Sequence, residues 1–100
     1  MASTKPEYRL APKAIEDMEG IWLYSFKRWG EDQAGRYTDG LIAGFEFLVQ
    51  NPEAGMACDH IRLTYRRYLI KRHVAFYRVT RYGIKIVRVL HDRMLPERHL

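Results

Sequence analysis

Two long helical patterns follow each other with almost nothing between them, and this arrangement constrains the fold more than any other feature. In residues 15–29, apolar side chains recur every three or four positions, after a proline, Pro12, suited to the first turn of a helix. Gly30 ends this pattern, and a second helix is expected over residues 31–50, up to Asn51. Because only the corner WGED separates the helices, they are expected to form an antiparallel hairpin.

Each helix carries an apolar stripe that the other helix alone is too narrow to cover. The first stripe consists of Ile15, Met18, Trp22, Phe26 and Trp29, and the second of Ala34, Tyr37, Leu41, Phe45 and Leu48. The two stripes therefore predict packing against a further layer of structure.

After the helices the apolar period changes from helical to strand-like. A loop-like stretch, PEAGMACDH, is followed by three candidate strands at about residues 66–70, 73–79 and 84–90. Their short connections make them antiparallel neighbours. With a short strand at EYRLAP before the helices, the order is β-α-α-β-β-β, which predicts one α+β domain over residues 1–100 with the hairpin packed on a mainly antiparallel sheet.

The predicted strands carry apolar side chains on both faces. The middle strand places Val74, Phe76 and Arg78 opposite His73, Ala75, Tyr77 and Val79, and the last strand places Ile84, Ile86 and Leu90 opposite Val87 and Val89. Three explanations are open: a tail or loop covers the second face, a partner chain covers it, or a bulge shifts the register.

The basic charge belongs to the C-terminal half. The chain has a net charge of +5, with −2 in residues 1–50 and +7 in residues 51–100. This gradient predicts an acidic partner, either a protein or a nucleic acid. Arg78 and Arg88 lie within predicted strands, where an arginine needs a carboxylate or a ligand as its partner.

Several classes of protein are excluded or disfavoured by the same residues. A single cysteine, Cys58, permits no intrachain disulfide and no four-cysteine zinc site. The polar start, MASTKPEY, and the short apolar run LIAGFEFLV predict neither export nor membrane insertion. We expect a cytoplasmic protein with no cofactor, no metal and no sequence-specific contact with nucleic acid.

The stretch VLHDRM, after the last predicted strand, places a histidine, an aspartate and an arginine in succession. Such residues serve acid–base chemistry on RNA. Adjacent residues of an extended chain point to opposite sides, however, so His91 and Asp92 are not expected to pair unless the chain bends. A hydrogen-bonded residue at the strand end is the favoured interpretation of His91.

Taken together, KRWGEDQAGRYTDGL, NPEAG, IRLTYRRYLIKRHVAFYRV and GIKIVRVLHDRMLPERHL resemble the ParE toxins of bacterial type II toxin–antitoxin systems, within the ParE/RelE superfamily. The resemblance covers nearly the whole chain. It implies a toxin that is neutralised by a ParD-like antitoxin encoded by the adjacent gene. The antitoxin contacts expected from it are Trp22, Phe26, Tyr37, Leu41, Arg78 and Arg88, and the target contacts are His91, Arg93, Met94 and Arg98.

The resemblance implies two kinds of target. ParE members poison DNA gyrase by stabilising its cleaved-DNA complex, whereas RelE members cut messenger RNA on the ribosome. Gyrase is favoured here, because no tyrosine follows Tyr82 where the nucleases often carry one. The alternative endoribonuclease would use His91, Arg93, Arg78 and Lys71, and a third interpretation is a partner without activity of its own.

Overall fold

The architecture is a helix hairpin packed on one face of a mainly antiparallel sheet, as the sequence predicts, and the sheet has five strands rather than the four expected. The computed structural model describes residues 5–100. Its elements are β1 (Glu7–Leu10), α1 (Pro12–Trp29), α2 (Glu31–Gln50), β2 (Met56–Ala57), β3 (Arg66–Ile70), β4 (His73–Thr80) and β5 (Gly83–His91), followed by a short 3₁₀ turn at Pro96–Arg98. Both helix boundaries and the α+β class are confirmed.

The strand order across the sheet is β1-β5-β4-β3-β2. β1 runs parallel to β5, and every other neighbouring pair is antiparallel. The two-residue strand β2 lies inside the stretch predicted as loop, since so short a segment shows no alternating pattern.

Gly30 makes the hairpin corner. Its φ of 93° lies in the region that glycine adopts without a steric cost, and its N–H donates to the carbonyl of Phe26 at 2.9 Å. Lys27 and Arg28 stand at the last turn of α1, where the helix dipole favours cations. The same residue that ends α1 thus starts α2 without a loop.

A β-bulge in β5 decides which side chains face the helices. Phe76 is paired with Arg88 and Tyr77 with Ile86, so Val87 is an extra residue. After the bulge, each side chain of β5 points to the face of the sheet opposite to the one that simple alternation predicts. The predicted faces of Val89 and Leu90 are therefore wrong: Val89 lies in the core under the helices, and Leu90 lies on the opposite side of the sheet.

The core accordingly has two parts. The larger part lies between the hairpin and the sheet, and it includes Leu41, Phe45, Tyr77, Ile84 and Ile86. The smaller part lies on the other face and comprises Cys58, Val74, Phe76 and Leu90, against which Ile61, Tyr65, Val87 and Leu100 pack. Of the three explanations left open by the sequence, a bulge and coverage by loop and tail both occur.

The apolar stripe of α1 does not face the core as its spacing suggests. Ile15, Trp22, Phe26 and Trp29 are 45%, 37%, 42% and 59% exposed, whereas Ala14 and Ser25 are buried. The stripe of α2 is largely buried as predicted. α1 therefore packs through Ala14 and Ser25 together with the partly buried Met18 and Ile21, and it presents its aromatic side chains outward.

Candidate partner-binding groove

A groove of about 690 Å³ lies between α1 and the ends of β4 and β5. Its size falls within the range of about 300–1,000 Å³ that is common for ligand sites. The lining residues are Asp17, Gly20, Ile21, Tyr24, Ser25, Arg28, Trp29, Tyr37, Arg72, His73, Val89, Leu90, His91 and Met94. The groove is thus mainly apolar and aromatic along α1 and polar at its inner end.

The inner end is held by a hydrogen-bonded series from β4 to α2. The backbone N–H of Arg72 donates to the Tyr37 hydroxyl oxygen at 3.1 Å, and this hydroxyl lies 2.7 Å from Nδ1 of His73. The Tyr37 hydroxyl and Nδ1 of His73 therefore share a hydrogen bond, whose donor depends on the tautomer of His73. The His73 ring meets the His91 ring edge to face, with centroids 5.3 Å apart.

The pKa of His73 is lowered from its usual 6.5 to about 4, chiefly by burial and next by the neighbouring His91, against the smaller opposing effects of Asp92 and Asp17. The inner end of the groove therefore carries an uncharged histidine at neutral pH. Tyr37, which faces the same ring, has its phenol pKa raised, chiefly by burial.

This histidine should make stability depend on pH. The unfolded chain binds a proton at His73 near pH 6.5 and the folded chain only near pH 4, so the free energy of unfolding should fall as pH drops from about 6.5 to 4, by about 1–2 kcal/mol once solvent screening of the partly exposed ring is included. His73→Gln should flatten this part of the profile in urea titrations at pH 7.5 and 4.5. The exposed His60→Gln is the control, and equal slopes for the two variants would contradict the assignment.

The pairing of His91 with Asp92 differs from the prediction. Nδ1 of His91 lies 3.0 Å from a carboxylate oxygen of Asp92, because the chain turns directly after β5. The N–H of Arg93 also donates to this nitrogen, at 3.2 Å, when the nitrogen is unprotonated. Asp92 pairs with Arg72 as well, at 3.3 Å. The bend on which the sequence makes this pairing depend is therefore present.

Arg88 is fully engaged within the protein. The carboxylate of Asp17 accepts bonds of 2.8 Å from both Nε and Nη2 of Arg88, and one of 2.9 Å from the N–H of Val89. Nη1 of Arg88 donates to the carbonyl of His99 at 2.9 Å. Arg88 therefore has the carboxylate partner that its position demands, and we remove it from the candidate antitoxin contacts.

The structure also bears on two further predicted antitoxin contacts, Leu41 and Arg78. Leu41 is fully buried in the core, so it has no surface to offer a partner and also leaves the list of antitoxin contacts. Arg78 is exposed, and it takes part in no ion pair among those found in residues 5–100. Of the two kinds of partner expected for Arg78, a carboxylate is not found among the described residues, and a contact with a ligand or another protein stays a prediction.

The four residues of the nuclease interpretation do not converge on one point. His91 is paired with His73 at one end of β4, whereas Arg78 is paired with Lys85 near the other end. Five residues of extended chain separate His73 from Arg78, which corresponds to about 17 Å. Lys71 stands near the His91 end, with Nζ 5.6 Å from the centre of the Tyr37 ring.

Two of the four predicted target contacts belong to the groove. His91 and Met94 line it, and Met94 is 39% exposed. Arg93 and Arg98 are exposed on the tail that follows. Two contacts hold the end of this tail against the sheet. The carbonyl of His99 accepts a hydrogen bond from Arg88, and Leu100 packs on the second face of the sheet.

An aromatic surface on α1 meets the groove at Trp29, which lines it. The rings of Trp22 and Phe26 stack with centroids 5.1 Å apart, and Tyr24 meets Trp29 edge to face at 6.2 Å. Their exposure in one contiguous helix is typical of a surface that binds a partner. We call Ile15, Trp22, Phe26 and Trp29 the α1 aromatic face.

Within residues 5–100, no group of three His, Cys, Asp or Glu side chains is arranged to hold a metal ion. In the same part of the chain, no helix combines the length and apolarity needed to cross a bilayer.

The hairpin on a mixed sheet, the exposed aromatic face and the groove define a small α+β protein. A solved structure, "Chromosomal ParDE TA system from P. aeruginosa", shares this fold with a TM-score of 0.75 and 20% identity, covering 89% of this chain and 98% of that one. The family described as "ParE toxin of type II toxin-antitoxin system, parDE" matches residues 8–96. The chain belongs to this family.

Curated relatives agree over most of the chain. "Toxin ParE1" of Mycobacterium tuberculosis is 45% identical over 94 residues, which cover 93% of this chain and 96% of the relative. "Toxin ParE1" of Caulobacter vibrioides is 41% identical over 93 residues, with the same coverage. The resemblance read from the sequence is confirmed.

Proposed function

We propose that this protein is a cytoplasmic toxin that inhibits growth by binding DNA gyrase and stabilising its cleaved-DNA complex, and that a ParD-like antitoxin neutralises it. The observation that carries the proposal is the pairing of an exposed aromatic face with a groove, both suited to binding, while the residues of the nuclease interpretation stand apart. Membership of the ParE family supports the same conclusion.

The antitoxin is proposed to bind on the α1 aromatic face and in the adjoining groove, at Trp22, Phe26 and Tyr37. Large aromatic side chains that are partly exposed and already stacked lose little conformational freedom on binding, which makes them effective anchors. The basic C-terminal half supplies the charge that attracts an acidic segment. Arg78 remains an exposed candidate contact on the sheet.

The target is proposed to be bound through the tail end, at His91, Arg93, Met94 and Arg98. Exposed arginines beside an exposed methionine combine charge with an adaptable apolar contact. Point variants test this surface better than truncation does, because the last two residues also hold the sheet.

The test measures gyrase directly. Purified protein is added to gyrase, ATP and relaxed plasmid, and both supercoiling and trapped cleaved DNA are followed. We expect cleaved DNA to accumulate, and we expect Arg93→Glu combined with Arg98→Glu to reduce it about tenfold or more, since both cations are lost. Arg81→Glu, an equally exposed change in the β4–β5 turn, is the control and should act like the unchanged protein.

A translating extract probed for cut messenger RNA runs in parallel. Gyrase left unaffected while messenger RNA is cut would overturn the proposal in favour of the endoribonuclease. Neither effect, combined with tight antitoxin binding, would favour a partner without activity of its own.

A further inference from the structure

The face of the sheet that points away from the hairpin carries an unbalanced positive charge. Between His60 and His91 the chain has nine arginines and lysines and no aspartate or glutamate. This stretch includes β3, β4 and β5. Cations at the edges of a sheet protect it from pairing with other chains, but several of these cations lie within the strands and need another explanation.

Three cations stand side by side on this face, one on each of three neighbouring strands. Lys85 of β5 is the register partner of Arg9 in β1 on one side and of Arg78 in β4 on the other. Register partners point to the same face of a sheet, and neighbouring strands lie about 4.8 Å apart. Because Ile84 and Ile86, on either side of Lys85, lie in the core under the helices, the three cations point to the opposite face.

Arg67 of β3 extends this series to a fourth strand. Its register partner, Phe76, is two residues before Arg78 on the same face, so Arg67 and Arg78 are diagonal neighbours. The guanidinium of Arg67 lies 5.7 Å from the centre of the Phe76 ring. We call Arg9, Lys85, Arg78 and Arg67 the cation row.

The cation row is only slightly neutralised by the described part of the protein. Among the ion pairs found in residues 5–100, only the one between Arg9 and Glu7 includes a member of the row. Lys85 therefore has a cation on each neighbouring strand. Like charges directly opposite each other destabilise a sheet. An arrangement that costs stability and is not balanced within these residues indicates an anionic ligand outside them.

The chemistry of the row favours a phosphate backbone over an acidic protein surface. Interfaces between proteins have apolar centres from which charged residues are depleted, whereas the centre of this row is Lys85 between two arginines. Backbone binding of nucleic acids rests on such clustered cations.

The neighbouring aromatic rings favour a duplex over a single strand. Single strands are held largely by bases that stack on exposed aromatic rings. One face of the Tyr82 ring is occupied by the guanidinium of Arg9, which lies 4.0 Å from the ring centre, and Phe76 is only 2% exposed. These rings are poorly placed to stack on bases, so the row offers charge alone.

We propose that the cation row binds the phosphate backbone of duplex DNA without regard to sequence. Phosphate contacts position a protein on DNA but carry no sequence information. The inference goes beyond the proposed function, because it gives the toxin a contact with DNA that it makes by itself, in the absence of gyrase.

The first test reverses the charge at the centre of the row. The unchanged protein should bind a fluorescent duplex of about 30 base pairs and arbitrary sequence, followed by anisotropy at about 50 mM salt, and Lys85→Glu should weaken this binding about tenfold or more. Lys85→Glu should melt no lower than the unchanged protein, because it places a carboxylate between Arg9 and Arg78. Arg36→Glu, the same reversal at an exposed position of α2, is the control and should weaken binding less than about threefold.

The second test counts the phosphate contacts. Each phosphate that a cation neutralises contributes about −0.9 to the slope of log affinity against log salt concentration. The four residues of the row therefore predict a slope of about −3 to −4, and Arg78→Ala should make the slope shallower by about 1. Single-stranded DNA of the same length should bind more weakly than the duplex.

The outcomes separate this inference from the proposed function. If Lys85→Glu and Arg36→Glu bind the duplex equally well, or if the unchanged protein does not bind it but still traps cleaved DNA on gyrase, the inference is overturned and the proposed function stands. If Lys85→Glu loses affinity for the antitoxin but not for DNA, the row serves an acidic protein and the inference is overturned as well. Tighter binding of the single strand would also overturn it. Duplex binding that depends on Lys85, with gyrase unaffected, would support the inference and overturn the proposed function instead.

Discussion

Asp17→Ala is expected to lower the free energy of unfolding by about 3–5 kcal/mol. The side chains of Asp17 and Arg88 are only 13% and 16% exposed, and the carboxylate accepts three hydrogen bonds from Arg88 and Val89. Removing it leaves a buried guanidinium and a backbone N–H without their acceptor. Urea denaturation of the purified variant measures the loss.

The neighbouring Glu16→Ala is the control, because Glu16 is exposed and contributes to no ion pair among those found in residues 5–100. It should change stability by less than about 0.5 kcal/mol. Asp17→Leu combined with Arg88→Met should recover much of the loss, since an apolar pair replaces a broken ionic one. If Asp17→Ala and Glu16→Ala changed the free energy of unfolding by the same small amount, the ion pair between α1 and the sheet would not be a major contributor to stability.

Trp22→Ala is expected to weaken antitoxin binding by about 2–4 kcal/mol, or roughly 30- to 1,000-fold. The indole stacks on Phe26 and stands at the middle of the α1 aromatic face, where an anchor contributes most. Affinity is measured by surface plasmon resonance, with the melting temperature recorded beside it.

Leu63→Ala is the comparison for that experiment, because Leu63 is 75% exposed but lies in the loop between β2 and β3. It should leave affinity within about twofold. If both substitutions had the same small effect, the antitoxin would have to bind elsewhere, and the placement on α1 would be withdrawn.

The helices and strands could be predicted closely because local signals agree at their ends. Pro12, Gly30 and Asn51 mark the helix boundaries through backbone chemistry that acts within a few residues. The β-branched and aromatic runs that mark β3, β4 and β5 are equally local. None of these signals depends on what the element later packs against.

The features that were missed depend on distant residues. The outward direction of the α1 aromatic face depends on how the hairpin packs on the sheet. Periodicity identifies a stripe of large apolar side chains on α1, but it does not show whether that stripe faces the sheet or the solvent. The bulge at Val87 exchanges the faces of Val89 and Leu90, and alternation alone has no signal for it.

The groove shows the same limit most clearly. Tyr37 and His73 are 36 residues apart and meet only in the folded protein, so neither stands out in the sequence as a partner of the other. Gly20 and Tyr24 look like ordinary helix positions until the lining of the groove is known. Only the family resemblance indicates His91 and Met94 as site residues. The pairing of His91 with Asp92 depends on a turn for which the sequence pattern gives no signal.

The order of strands in the sheet also governs when the toxin becomes a folded molecule during its synthesis. β5 lies between β1 and β4, yet it is synthesised after both, so more than seventy residues must be made after β1 before the strand that pairs with it exists. Asp17, whose partner Arg88 is in β5, waits equally long. A nascent chain that stops before residue 83 therefore lacks β5, the strand that joins β1 to the rest of the sheet. The complete sheet can form only after almost all of the chain has been translated.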